Sequence, residues 1–145
     1  MCYFKAHELV DPATYKKYGE KKSFRYIDKH IISVLQFLRD YYKKPITINN
    51  YMFGGQYKES GLRQPKLYYY KPYSCHTFGR AVDIKVKDIE ASKIQSDILN
   101  VISDEVKVMG LTAIEKDTPT WTHISVSNFD GWETEEKNGI KLLKG

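Results

Sequence analysis

The sequence predicts an α+β domain in which a small, mainly antiparallel sheet carries its helices on one face. Three observations lead there. Two long segments place apolar residues at helical spacing, several short β-branched segments lie between and after them, and the order of elements mixes hairpin and crossover connections. At 145 residues and 41% hydrophobic content, the chain can build one core and has no room for a second full domain. One unit over 1–145 is therefore expected, with 1–22 as a lead-in segment and 129–145 as a C-terminal tail.

Residues 1–22 are polar and interrupted by Pro12 and Gly19, so an extended segment with a short helix near 13–18 is expected. Ser23 then suits the cap of a helix over 24–42. Along it Ile27, Ile31, Val34, Leu38 and Tyr41 recur at spacings of four, three, four and three, which is one helical face. Lys43 and Lys44 complement the helix end, and Pro45 pushes Lys44 out of the helical region. The β-branched run 46–50 reads as a short strand.

The stretch 51–73 has no periodicity and holds Gly54, Gly55, Gly61, Pro65, Pro72 and tyrosines 51, 57, 68, 69, 70 and 73. Long loops of this kind line binding sites, and tyrosine packs with its ring while bonding at its tip, so a cleft wall is expected here. In the strand over 80–86, Val82, Ile84 and Val86 face the core and Asp83 faces the other side with Ala81 and Lys85. Asp88 is the expected cap of a helix over 89–109, with Ile94, Ile98, Val101 and Ile102 as its buried stripe and Gly110 at its end. Strands over 111–115 and 121–126, joined by the turn 116–120, form a hairpin, and 140–143 is a final edge strand.

Composition limits the function classes. No run of about 18 apolar residues is present to span a membrane, and the first residues lack the apolar centre of a secretory signal, so synthesis and folding in a cytoplasm are expected. Cys2 and Cys75 lie far apart and form no CxxC pair, and a disulfide between them is not expected in a reducing compartment. The net charge of +5 would favour an anionic partner such as nucleic acid, a membrane surface or a wall polymer. The lysines are spread along the chain without a block of like charges, so the charge selects none of these, and nucleic acid is not an expected partner.

The residues able to do chemistry are few. His76 lies just ahead of the strand that carries Asp83, and alternation puts Trp121, His123 and Ser125 on one face of a later strand. Two imidazoles and a carboxylate on one side of a sheet would suit zinc, which takes nitrogen and oxygen donors and, with three protein ligands, keeps a position for water. The same spacing also suits a polar network without metal.

The segment Ser74-Cys75-His76-Thr77-Phe78-Gly79-Arg80-Ala81-Val82-Asp83 resembles, at every fixed position, the SxHxxGxAxD signature of the zinc D-alanyl-D-alanine carboxypeptidases and related phage endolysins. Those enzymes share the hedgehog/DD-peptidase fold. The resemblance spans roughly residues 25–128 and implies that His76, Asp83 and His123 are the zinc ligands. Ser60-Gly61-Leu62-Arg63 is similar to the family's SGxR element, which implies that Arg63 lies near the substrate and polarises the scissile carbonyl.

The general base departs from the family pattern. Family peptidases commonly carry glutamate three residues before the last ligand, where this chain has Thr120. Glu115 is the expected base, because a hairpin register that closes near Lys116 and Trp121 brings it level with Thr122 or His123; Asp117 is second. Ser74 is expected to bond or turn near the substrate rather than act as a nucleophile, and Cys75 alternates away from the metal.

The resemblance thus implies a zinc-dependent peptidoglycan peptidase, carboxypeptidase or endopeptidase, that cuts an amide in the cell-wall stem peptide. A phage or prophage origin, action as a monomer, and activity on the wall after release at lysis or from a virion are the matching expectations. The competing expectation is a non-catalytic metal-binding or virion structural module of the same fold, motivated by Thr120.

Overall fold

The computed structural model describes residues 3–129 and 131–144, which contain four α-helices and one six-stranded sheet. The elements are α1 (Pro12–Ser23), α2 (Lys29–Tyr42), β1 (Ile46–Thr47), β2 (Ala81–Val86), α3 (Ala91–Asn100), α4 (Ser103–Val108), β3 (Ala113–Glu115), β4 (Thr122–Ser125), β5 (Glu135–Lys137) and β6 (Ile140–Leu143). The strand order is β1-β2-β4-β3-β6-β5, antiparallel throughout except that β3 and β6 run parallel. The class is α+β with a mixed, mainly antiparallel sheet, in agreement with the expectation. The expected pairing of 111–115 with 121–126 is present as β3 and β4.

Alternation decides which face of the sheet becomes core. Val82, Ile84 and Val86 of β2, with Ile114, Ile124 and Ile140, join Ile31, Val34, Leu35 and Leu38 of α2 and Ile94 and Ile98 of α3 in one apolar cluster. The opposite face of β2 and β4 is left for polar residues.

Several elements differ from expectation for identifiable reasons. The first residues are not a loose lead-in, because Phe4, Ala6, Leu9 and Val10 are buried in the core. Asp11 caps α1 by accepting from the Thr14 amide, and Pro12 occupies the first turn, so the helix is longer than 13–18 and kinks at Gly19, where φ is +75°. Ser23 ends α1 and caps nothing. Residues 24–26 form a 3-10 turn, and the cap of α2 is Asp28, whose carboxylate accepts from the His30 amide at 2.9 Å.

The helix expected over 89–109 is two helices. Asp88 sits in a turn at φ +63°, and Glu90 precedes α3. A continuous helix would have turned Val101 and Ile102 inward together. The amides of Val101 and Ile102 instead both donate to the Asp97 carbonyl, and the break leaves Val101 60% exposed while Ile102 and Val106 stay buried.

The C-terminal segment completes the sheet. Strand β6 lies between β3 and β5 rather than at the edge, with Ile140 fully buried, and β5 is the edge strand that the exposed sequence Glu135–Lys137 did not announce. The expected disulfide status of Cys2 lies outside the described residues. Cys75 is a free cysteine.

Strand β1 stops at Thr47, and the loop after it takes over as partner of β2: the Asp83 amide donates to the Ser60 carbonyl at 2.7 Å. Two asparagines fix that loop. Asn49 accepts from the Ser60 amide and donates to the Val10 carbonyl, while Asn50 accepts from the Tyr57 amide through its side chain and donates to the Tyr57 carbonyl through its backbone. The long tyrosine-rich stretch is thereby held against the sheet.

Candidate metal centre

His76 is placed by a 3-10 turn, Cys75–Phe78, that Ser74 caps through its hydroxyl. The turn closes at Gly79, at φ +67°, where a Cβ would collide with the Tyr26 carbonyl. A second clamp comes from the Ser60-Gly61-Leu62-Arg63 segment. The Arg63 amide donates to the His76 carbonyl, and His76 Nδ1 donates to the Gly61 carbonyl at 2.9 Å. Gly61 admits no side chain because the backbone of Leu9 lies against it, and the Leu62 amide donates to the Leu9 carbonyl. The opening residues of the chain therefore help to aim the histidine.

Asp83 and His123 are directly opposite on β2 and β4. Asp83 Oδ1 lies 2.9 Å from His123 Nδ1 and 3.3 Å from His76 Nε2, and Asp83 Oδ2 accepts from Arg63 Nη2 at 3.0 Å. The outward nitrogen of each imidazole is engaged elsewhere: His76 Nδ1 by Gly61, and His123 Nε2 by the buried Ser125 hydroxyl at 2.7 Å. Both rings thus present their other nitrogen to the Asp83 carboxylate, with ring centroids 5.1 Å apart. Donor atoms of His76, Asp83 and His123 all lie within 4.8 Å of one another.

The chemistry of this donor set fits a metal ion. A carbonyl oxygen only accepts, so His76 Nδ1 carries hydrogen and a neutral ring directs the lone pair of Nε2 at a carboxylate oxygen. A proton or a metal ion must relieve that opposition of lone pairs. Burial lowers the His76 pKa, against the opposing attraction of Asp83, and so disfavours the proton. For Asp83, burial pushes the pKa up, but the facing imidazoles of His123 and His76 outweigh it and hold the carboxyl well below the usual range. The group combines a neutral imidazole with an ionised carboxylate, and the bonds from Gly61 and Ser125 orient the two rings as outer partners of metal ligands do.

Glu115 ends β3 with Oε2 3.6 Å from His123 Nδ1. The register Ala113↔Ser125 and Ile114↔Ile124 carries it level with His123, as expected from the hairpin. Asp117 is exposed in the turn at φ +59° and does not line the site, and Thr120 is exposed as well. The centre opens into a cleft of about 820 Å3 whose walls include Tyr57, Arg63, Tyr69, Ser74, Lys85, Trp121, Phe129 and Trp132. The tyrosine-rich stretch is a cleft wall, as its composition suggested. Arg63 also donates through Nε to the Glu59 carbonyl, so in this structure it braces the Asp83 carboxylate. Cys75 lines the cleft and accepts from the Ser127 hydroxyl, outside the donor group.

Of the site residues singled out in the sequence, His76, Asp83, His123, Glu115, Arg63 and Ser74 line this cleft, and Asp117, the second candidate for the base, does not. Ser125 and the Gly61 carbonyl were not anticipated as ring partners, although Ser125 shares the face of His123 by simple alternation. Phe129 and Trp132 gave no periodic signal. Comparison with family models, curated proteins and solved structures finds no match to the chain.

Proposed function

We propose that the chain is a zinc-dependent peptidoglycan peptidase of the hedgehog/DD-peptidase fold, hydrolysing an amide bond in the cell-wall stem peptide. The observation that carries the reading is the convergence of His76, Asp83 and His123 beside Glu115 at the floor of an open cleft. The SxHxxGxAxD pattern and the SGLR segment support it, since Ser74, His76 and Asp83 of the first and Ser60 and Arg63 of the second line this one cleft.

Zinc held by His76, Asp83 and His123 would act as a Lewis acid and acidify a water for attack on the amide carbonyl. Glu115 is the group that accepts the water proton and passes it to the departing amine. Arg63, fixed against Asp83, adds positive charge where the carbonyl oxygen becomes anionic. Ser74 keeps His76 in place through the turn and stands at the cleft wall beside the substrate. The resemblance to endolysins supports a phage or prophage enzyme that works on the wall as a monomer, after lysis-related release or from a virion.

The test is digestion of isolated sacculi by the zinc-loaded protein, with new amino groups and released D-alanine followed by mass spectrometry. New peptide ends are expected. Their absence across several wall chemotypes would leave the second reading, a non-catalytic metal-binding or virion module, which the exposed Thr120 in the family's glutamate position favours.

A further inference from the structure

Lys85 stands on the same face of β2 as Asp83, two residues further along, which is about 6.6 Å of strand. It is half-buried in the wall of the cleft, and its backbone is fixed by pairing with Thr47 of β1. Its ammonium lies 4.0 Å over the ring of Tyr57, the residue that Asn50 clamps at both amide and carbonyl. Among the described residues no carboxylate pairs with Lys85, and Glu59, the acid that lines the cleft besides Asp83 and Glu115, accepts from the Tyr69 amide. An ammonium held on an aromatic face and partly desolvated interacts with an anion more strongly than a solvated surface lysine does.

We propose that Lys85, seated on Tyr57, forms an anion subsite that receives a substrate carboxylate within about two residues of the bond cut, since one residue spans about 3.8 Å. The cleft would then select peptides bearing a free carboxylate close to the scissile amide and discriminate against their carboxamides. Placing the subsite relative to a scissile bond rests on the peptidase reading. The existence of the subsite does not.

The experiment measures binding and cleavage separately. The probes are a synthetic stem peptide with its carboxylates free and the same peptide with each carboxylate converted in turn to a carboxamide. Binding is titrated calorimetrically to the zinc-loaded protein in a Glu115→Gln background, which preserves the probe. One amidation is expected to weaken binding about 10-fold, the scale of a charge-assisted bond, and Lys85→Ala should abolish that difference while Lys85→Arg keeps it. Lys87→Ala, which removes the same charge from an exposed position outside the cleft, should leave the discrimination intact.

The subsite is overturned if no probe binds, if the protein with Lys85 intact does not discriminate, if Lys85→Ala still discriminates, or if Lys87→Ala costs as much. Cleavage is scored with Glu115 restored. Carboxylate discrimination without cleavage would keep the subsite and remove the peptidase.

Discussion

His76 donates its Nδ1 hydrogen to the carbonyl of Gly61 across 2.9 Å, and this bond decides which nitrogen meets Asp83. Gly61 sits in the SGLR segment and His76 in the SCHTFG turn, so two motifs fifteen residues apart lock one ring. The proposed zinc chemistry depends on that lock, because Nε2 is the nitrogen that His76 turns to the centre and it can ligate only when free of hydrogen.

Glu115→Gln keeps the shape of the side chain and removes its basicity. Hydrolysis should fall about 10²–10⁴-fold, while elemental analysis should still find one zinc per chain. A variant that stays fully active would assign the base elsewhere.

Ser125→Ala removes the hydroxyl that engages His123 Nε2 and leaves the three donors in place. Zinc affinity should drop about 10–100-fold in a competition titration with a chromophoric chelator. Unchanged affinity would show that the strand backbone alone orients His123.

Gly79→Ala places a Cβ against the Tyr26 carbonyl at a residue with φ +67°. A loss of about 1–3 kcal/mol in urea denaturation is expected. Because the same turn carries His76, zinc affinity should fall with it.

The pH dependence of the metal-free protein follows from His76. Burial lowers its pKa in the folded chain despite the pull of Asp83, whereas the unfolded chain protonates near about 6.5. The unfolded state therefore binds more protons below that value, and stability is lost as pH falls through it. Asp83, kept ionised by His123 and His76 against the effect of burial, adds a further loss only below about pH 4. The Tm of metal-free protein, followed from about pH 7.5 to about pH 5, should decline more steeply than that of His76→Gln. Parallel slopes would contradict the assignment.

Local rules carried the sequence reading wherever one residue type answers one geometric demand. Val82, Ile84 and Val86 went inward and put Asp83 on the open face, and the hairpin register placed Glu115 beside His123. What escaped was set at long range. Nothing in residues 1–22 says that Leu9 will receive the Leu62 amide, or that β6 will slide in parallel beside β3. Val101 carries the helical spacing of a buried residue, yet the break after α3 turns it to solvent while Ile102 and Val106 stay inside.

Asp83 and His123 are forty residues apart along the chain and become neighbours only when β2 and β4 pair. The full set of three donors therefore exists only once that long-range closure is complete. Zinc should slow unfolding and leave the folding rate unchanged, so protein refolded with a chelator and supplied with zinc afterwards should match protein refolded with zinc throughout.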